Sequence, residues 1–333
     1  MTVARSPVTR TAVVAPRRVP IPAGSIAVTL GLLGAMFVAG SVRYQDFFSG
    51  QVVLNLFVDN SFLIVLAVGM TFVVLTGGLD LSVGSIVGLT GVIASALLRA
   101  GWPPGWVILV MLLIGCLSGL LIGLVIHFFE IEPFIATLVA MFLARGLCYV
   151  INSSTVAIHD KLFVAVAQAQ IPLGFGLVIS PGVIVALLLV AAGVFVLHRT
   201  RFGRTVYAVG GGRQSAVMMG LAVARTKVLV YVISGFCSAV GGILFTFYTL
   251  SGDNSAGMGM ELDAVAAVVV GGTILTGGRG YVLGSLLGVL VLGMINTLIS
   301  FDGTLSTWWA SILTGALLLI FVLLQRLVIG KTR

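Results

Sequence analysis

Long apolar runs follow one another along the chain, broken by short polar punctuation. They cover residues 26–42, 62–75 with an extension back to 52, 81–98, 102–129, 134–144 continuing past Arg145 to 151, 162–197, 228–252, 264–278, 280–301 and 303–325. A helix needs about 20 predominantly apolar residues to cross a bilayer, so runs of this kind predict membrane spans rather than a soluble core. Trimming the loops leaves ten segments, and the expected fold is an all-α polytopic integral membrane protein. Its membrane domain is expected over residues 25–326, between a disordered tail at 1–24 and a short tail at 327–333. The first tail carries Arg, Pro, Ser and Thr without periodicity. The run at 26–42 imitates a signal peptide, but its 17 residues exceed the usual apolar core of about 7–15 and predict a retained anchor.

Two of these runs are interrupted in the same way. Thr76-Gly77-Gly78, then Gly84-Ser85, then Gly88 recur at identical spacing as Thr276-Gly277-Gly278, Gly284-Ser285 and Gly288. Glycine pairs inside apolar segments free backbone N–H and C=O groups that lipid cannot satisfy, so such breaks survive only inside protein or beside water. Paired breaks of this kind in a membrane chain mark a transport pathway. Gly77, Gly78, Gly277 and Gly278 are therefore candidate pathway or gate residues. A ten-span count makes the two copies parallel; an inverted relation would require residues 264–275 to be a half-span.

Composition agrees with the membrane class: 59% of the 333 residues are hydrophobic and 8% charged, against about 25% charged in soluble domains. The net charge of +8 does not indicate nucleic acid, because the basic residues flank spans and no soluble domain presents a basic face. Arg5, Arg10, Arg17 and Arg18 precede the first span, Arg199, Arg201, Arg204, Arg213, Arg225 and Lys227 lie between the sixth and seventh, and Arg326, Lys331 and Arg333 close the chain. By the positive-inside rule that places both termini and the 198–227 loop in the cytoplasm. Cys116, Cys148 and Cys237 stand singly in apolar runs and read as packing residues, and His127, His159 and His198 form no metal spacing. No metal site and no cofactor is expected.

The 198–227 loop is the long cytoplasmic connector. Glycines at 210–212 break it, residues 213–219 have room for two helical turns, and Gly220 supplies a stop. That stub carries Ser215, Ala216, Val217, Met218 and Met219 among arginines, the makings of a docking knob for a soluble partner or of a helix lying on lipid headgroups. Asp80 and Ser82 lie inside the first break, where either caps the helix that begins near Val83 or takes part in the pathway or gate. Glu261 and Asp263 read as caps. Asn296 reads as an interhelical hydrogen-bonding residue or a pathway ligand, and Arg145 snorkels or pairs with Glu130 or Glu132. Trp308-Trp309 is expected at the headgroup level or against an external ligand.

Catalytic and nucleotide motifs fail on inspection. Gly330-Lys331-Thr332 lacks the earlier glycine, which would fall at Gln325, and Gly278-Arg279-Gly280 lacks a third glycine at Leu283. An ion-coupled secondary transporter would need carboxylates or histidines deep in several spans, and Asp80 stands nearly alone. An intramembrane enzyme would need a nucleophile and base on facing helices.

The stretches 69–85, GMTFVVLTGGLDLSVGS, and 261–273, ELDAVAAVVVGGT, resemble the permease subunits of bacterial ABC sugar importers of the ribose, xylose and galactofuranose type. The resemblance runs from about residue 26 to 326. Asn60-Ser61-Phe62, Thr200-Arg201-Phe202-Gly203 and the stretch 301–309 are most similar to the galactofuranose permease of that family. It implies a bacterial inner-membrane permease paired with a second permease, two cytoplasmic ATPase subunits and a periplasmic sugar-binding protein. It also implies that Arg213, Ser215, Ala216, Met219, Gly220 and Leu221 belong to the helix that couples to the ATPase. Many relatives carry two alanines and Gly-Ile there; this chain has Ser215-Ala216 and Gly220-Leu221.

Overall fold

The computed structural model describes residues 23–330 apart from 175 and 307. All but the last two residues of the tail expected at 1–24 therefore lie outside the described residues, as do Lys331 and Arg333 of the C-terminal tail. Helices α1 (Ala23–Arg43), α2 (Gly50–Asp59), α3 (Ser61–Leu75), α4 (Val83–Arg99), α5 (Pro104–Phe128) and α6 (Pro133–Ile151) come first. A loop region follows with β1 (Val156–Ala157), α7 (Lys161–Gln168), β2 (Ile171–Gly174) and β3 (Leu177–Ile179). Next come α8 (Pro181–Arg199), α9 (Arg201–Gly211), α10 (Arg213–Met218), α11 (Val223–Thr249), β4 (Ser251–Gly252), α12 (Met260–Val270), α13 (Val282–Asp302) and α14 (Trp308–Gly330). The fold is helical as expected, and its strands are confined to loops, where β1 pairs with β4 and β2 with β3, both antiparallel.

The expected ten spans are not found. Among the described residues six helices are long and apolar enough to cross a membrane, and a seventh span is formed if α2 and α3, bent by 58° at Asn60, are taken together. α4 is a shorter apolar helix of 17 residues, and α14 is apolar over Trp308–Leu324. The difference arises where helices are broken or short: at Asn60 between α2 and α3, at α4 after the first glycine break, and at α12, which has 11 residues. Apolarity is set by burial in protein as well as by contact with lipid, so half-length helices inside a bundle leave the same uncharged signature as full spans.

α3 is buried along its length except at Phe62; α8, α11, α12 and α13 pack around it, and α4 lies against α11. An outer set, α1, α5, α6, α8 and α14, keeps large apolar side chains exposed. α5 shows how one helix serves both layers. Leu109, Leu113, Leu117 and Leu121 form an exposed i, i+4 ridge. On the opposite face, Gly115, Gly119 and Gly123 lie against the backbone of α11 at Gly235, Tyr231 and Val228. Without Cβ atoms the two helices approach closely, which is how membrane helices gain packing where no hydrophobic drive separates them from lipid.

The second repeat shows the same device. Gly284 lies against the carbonyl of Gly271 and Gly288 against that of Ala267, so α12 and α13 are in backbone contact. α1 is tied on by the Thr29 hydroxyl, which donates to the Val270 carbonyl at 2.8 Å, and the α1–α2 connection by Tyr44, whose hydroxyl donates to Asp302 at 3.0 Å.

Candidate functional site

The first copy of the glycine repeat begins where a helix stops, and the second lies in the linker after one. α3 ends in a Schellman cap: Gly77 N–H donates to Val74 at 2.9 Å and Gly78 N–H to Val73 at 3.2 Å, with Gly77 at φ +80°. α12 ends in the same cap, but it is made by Gly271, Gly272 and Thr273, with Gly272 at φ +90° donating to Val269 and Thr273 N–H donating to Val268. Thr276-Gly277-Gly278 instead forms a second turn further along the linker, closed by Gly277 N–H on Ile274 at 2.9 Å.

The two glycine pairs meet. Gly278 N–H donates to the Leu75 carbonyl at 2.9 Å. A Cβ on Gly277 would stand 2.8 Å from Gly77 N and 2.9 Å from Leu75 O. A third segment enters the same contact, since a Cβ on Gly210, near the end of α9, would overlap Leu75 O and Gly278 N. Both turns therefore lie at one end of the bundle. α4 begins half a bundle away, its Gly84 against Gly257 and Glu261 at the start of α12. α12 is a half-length helix of 11 residues, about 16 Å. The copies are thus parallel even though the half-span that an inverted arrangement demands is present.

Asp80 and Ser82 do not cap α4 as expected. Ser82 occupies the N-cap position without a side-chain cap bond. Asp80 Oδ1 accepts from Ser82 N at 3.0 Å and Ser82 Oγ at 2.5 Å, while its Oδ2 accepts from Ser234 Oγ of α11 at 2.6 Å. Both residues are buried, so the carboxylate latches the α3–α4 linker to α11. Beside it, the buried Tyr231 hydroxyl faces Gly78 and has no hydrogen-bond partner among the described residues.

Asn296 lies elsewhere. It is on the wall of a cleft of about 550 Å³ toward the opposite end from the glycine junction, between α2–α3, α12 and α13, with Tyr248 of α11 at its edge. Asp59, Asn60 and Asp263 share this cleft. The sequence reading missed Asp59 and Tyr248 and took Glu261 and Asp263 for caps; in the structure Glu261 Oε1 accepts from the N-cap Gly259 N–H at 3.2 Å at the start of α12, and Asp263 lines the cleft. The available signal was Asp59-Asn60, a polar pair inside an otherwise apolar run that coincides with the 58° bend. Arg145 also differs from expectation. It donates to the carbonyls of Asn254 at 2.9 Å and Ala256 at 2.6 Å, pinning the segment that leads into α12, while Glu130 faces Arg213 at an exposed 3.8 Å.

The expected short helix in the connector exists as α10, and Gly220 adopts φ +72° behind it. An additional amphipathic helix, α9, precedes it, capped by Thr200 on Gly203 N–H at 3.1 Å. Tyr207 of α9 donates to Gly280 O at 2.8 Å. Within the expected coupling set, Ala216 is fully buried against Val209 and Val223, with Leu221 packed alongside. Arg213, Ser215, Met219 and Gly220 face outward, together with Val217 and Met218, the last 87% exposed.

Broken helices inside the bundle, a glycine junction reached by an external connector and a polar cleft in an apolar chain define a membrane permease. Residues 52–322 match the family described as "Branched-chain amino acid transport system / permease component", and the chain belongs to that family. It is 41% identical over 302 residues, 90% of this chain and 91% of the relative, to the inner membrane ABC transporter permease protein YjfF of Escherichia coli. It is 44% identical over 301 residues to the fructose import permease protein FruG of Bifidobacterium longum, covering 89% and 88% of the two chains. The ribose import permease protein RbsC of Haemophilus influenzae is 39% identical over 286 residues, 85% and 87% of the chains. No solved structure matches the chain.

Proposed function

We propose that this chain is the membrane-spanning permease subunit of an ATP-driven importer that carries a monosaccharide, galactofuranose or a similar sugar, across the bacterial inner membrane. One observation carries the reading: the exposed apolar helix α10 is continuous with the glycine junction. Gly210 and Gly211 sit against Leu75 and Gly278, and Arg213, the first residue of α10, follows two residues later. A partner that pushes on α10 therefore moves the segment wedged between the two broken helices. No nucleotide motif stands in the chain, so ATP hydrolysis falls to two separate cytoplasmic subunits docking on the Met218–Met219 knob. The basic connector and both termini then face the cytoplasm, and the cleft opens outward to a periplasmic sugar-binding protein.

The exposure of Asn296 and Asp59 supports a second permease subunit. Polar side chains at membrane depth do not face lipid; they face water or protein. The names of the relatives, fructose and ribose import permeases, support a sugar as cargo. The family description names branched-chain amino acids, but the relatives named for their cargo import sugars, and the amides and carboxylates of Asn55, Asn60, Asn296, Asp59 and Asp263 in the cleft suit a polyhydroxylated solute. The experiment is co-purification from cells expressing the whole transport operon. Met218→Glu is expected to insert normally yet lose the ATPase chains and uptake of the sugar; retention of ATPase at the parental level would remove α10 from the docking site.

A further inference from the structure

Asn is scarce in this chain: five residues in all, at 55, 60, 152, 254 and 296. Three of them, Asn55, Asn60 and Asn296, line one cleft, and with them stand Asp59, Asp263 and Tyr248. Nothing in the packing of a helical bundle demands this concentration of amides and carboxylates. The groups are also short of internal partners. Asn60 donates to Leu56 O at 2.9 Å, Asn55 Oδ1 accepts from Gln51 at 2.8 Å, and Tyr248 reaches Asp59 at a long 3.4 Å. Among the described residues no Lys, Arg or His makes an ion pair with Asp59 or Asp263. At about 550 Å³ the cleft has room for a hydrated six-carbon solute, and Phe62 and Phe301 add aromatic surface to its wall.

We propose that this cleft is a binding site of the permease itself for an uncharged polyhydroxylated solute, and that Asp59 and Asp263 make it a charge filter that turns away anionic sugars. Carboxylates and amides read vicinal hydroxyl groups, since each O–H is both donor and acceptor and finds an acceptor oxygen or an amide hydrogen within the ring of side chains. Aromatic surface covers the C–H face of such a solute. Two unpaired carboxylates set a negative potential in a cleft walled by low-dielectric helices, where fields are focused. A sugar phosphate or a uronate would meet repulsion from both. The inference rests on the transport reading above for the side from which the cleft opens.

The test uses three neutral sugars and two charged thiol reagents as probes of the cleft. Ser300→Cys at the cleft wall is made in the full transporter in intact cells, with the parental chain and its three native cysteines as background. Labelling rates are compared for a cationic trimethylammonium-ethyl and an anionic sulfonatoethyl methanethiosulfonate, each normalised to a free thiol. The expected preference for the cation is about tenfold or more. It should shrink in Asp59→Asn, which sits at the exposed rim, and vanish in Asp59→Asn/Asp263→Asn. At least one of D-ribose, D-fructose and D-galactose should slow the labelling in a saturable way, and ribose 5-phosphate should not.

Labelling no faster than background, a charge preference that survives Asp59→Asn undiminished, or no protection by any of the three neutral sugars would each overturn the site. The importer assignment fails separately. Normal labelling, charge bias and protection in a transporter that takes up none of these sugars would leave the cleft standing and remove the import reading.

Discussion

Single backbone atoms decide what the junction tolerates. A Cβ on Gly210 would overlap Leu75 O and Gly278 N, both engaged in one hydrogen bond, so Gly210→Ala has no direction in which to relax. Uptake is expected to be lost at near-normal membrane insertion, whereas Gly211→Ala, where a Cβ meets nothing, should transport normally. Equal uptake by the two variants would show that the contact is incidental. The Asp80 carboxylate holds three donors, and Asp80→Leu leaves two hydroxyls and an N–H buried without an acceptor. At about 1–3 kcal/mol per orphaned group, that variant should lose several kcal/mol of stability. Asp80→Asn keeps an oxygen, and its amide can donate to a rotated serine hydroxyl, so most of the stability should remain. Thermal unfolding in detergent reads the difference, and a charge-dependent gate would be indicated by an Asn variant that is stable but inert. Tyr231→Phe removes a hydroxyl that is buried without a partner among the described residues and should leave stability unchanged or raise it by up to about 1 kcal/mol.

At the level of elements, the connector divides its labour along one short helix. Ala216 turns inward against Val209 and Val223, so a charge placed there destabilises the connector itself instead of probing a docking contact. Met218 is the better probe. Because α9 is fastened by Tyr207 to Gly280 and by Phe202 stacking at 6.4 Å on Phe72, the knob and the junction are held as one lever. Tyr207→Phe should keep ATPase co-purification yet weaken coupling, measured as ATP hydrolysed per sugar imported; an unchanged ratio would uncouple α9 from the mechanism. Arg145 acts on another element. It pins the segment before α12 through two carbonyls, and Arg145→Met should loosen that segment, read as faster proteolysis or hydrogen exchange across residues 253–259.

For the whole molecule the orientation makes one prediction. On the proposed orientation the glycine junction, the connector and both termini lie on the cytoplasmic face, and the β1–β4 ladder and Asp160-capped α7 lie outside. A fluorescent protein fused at the C-terminus should glow, and a tag inserted after residue 155 should be reached by protease in intact cells. The opposite pattern would invert the proposed direction of the cleft. Pairing of permeases is visible at the same scale, since crosslinks between cysteines on the exposed rim of the cleft should form dimers if a second subunit covers it.

Much of this was legible in the residues. The apolar runs predicted a helical membrane protein, and the repeat of Thr-Gly-Gly with Gly-Ser and Gly marked the end of α3 and the linker turn after α12, because φ above zero and the absence of Cβ are demands that only glycine meets cheaply. The connector's short helix and its glycine stop followed from the same local rules. What periodicity does not encode is which apolar helices are full length, since a helix buried in protein and one buried in lipid are equally uncharged. Nor does it show partnership over long range. That Gly278 binds Leu75, that Asp80 reaches Ser234, that Arg145 holds two carbonyls and that Asp59, Asp263 and Asn296 share one cleft are set by how the helices cross. The sequence by itself determined where the chain breaks and which stretches the membrane accepts, through local backbone geometry and hydrophobicity. The tertiary structure alone decided which breaks meet and which polar groups face the same space, because those distances arise from packing between segments, some of them more than two hundred residues apart.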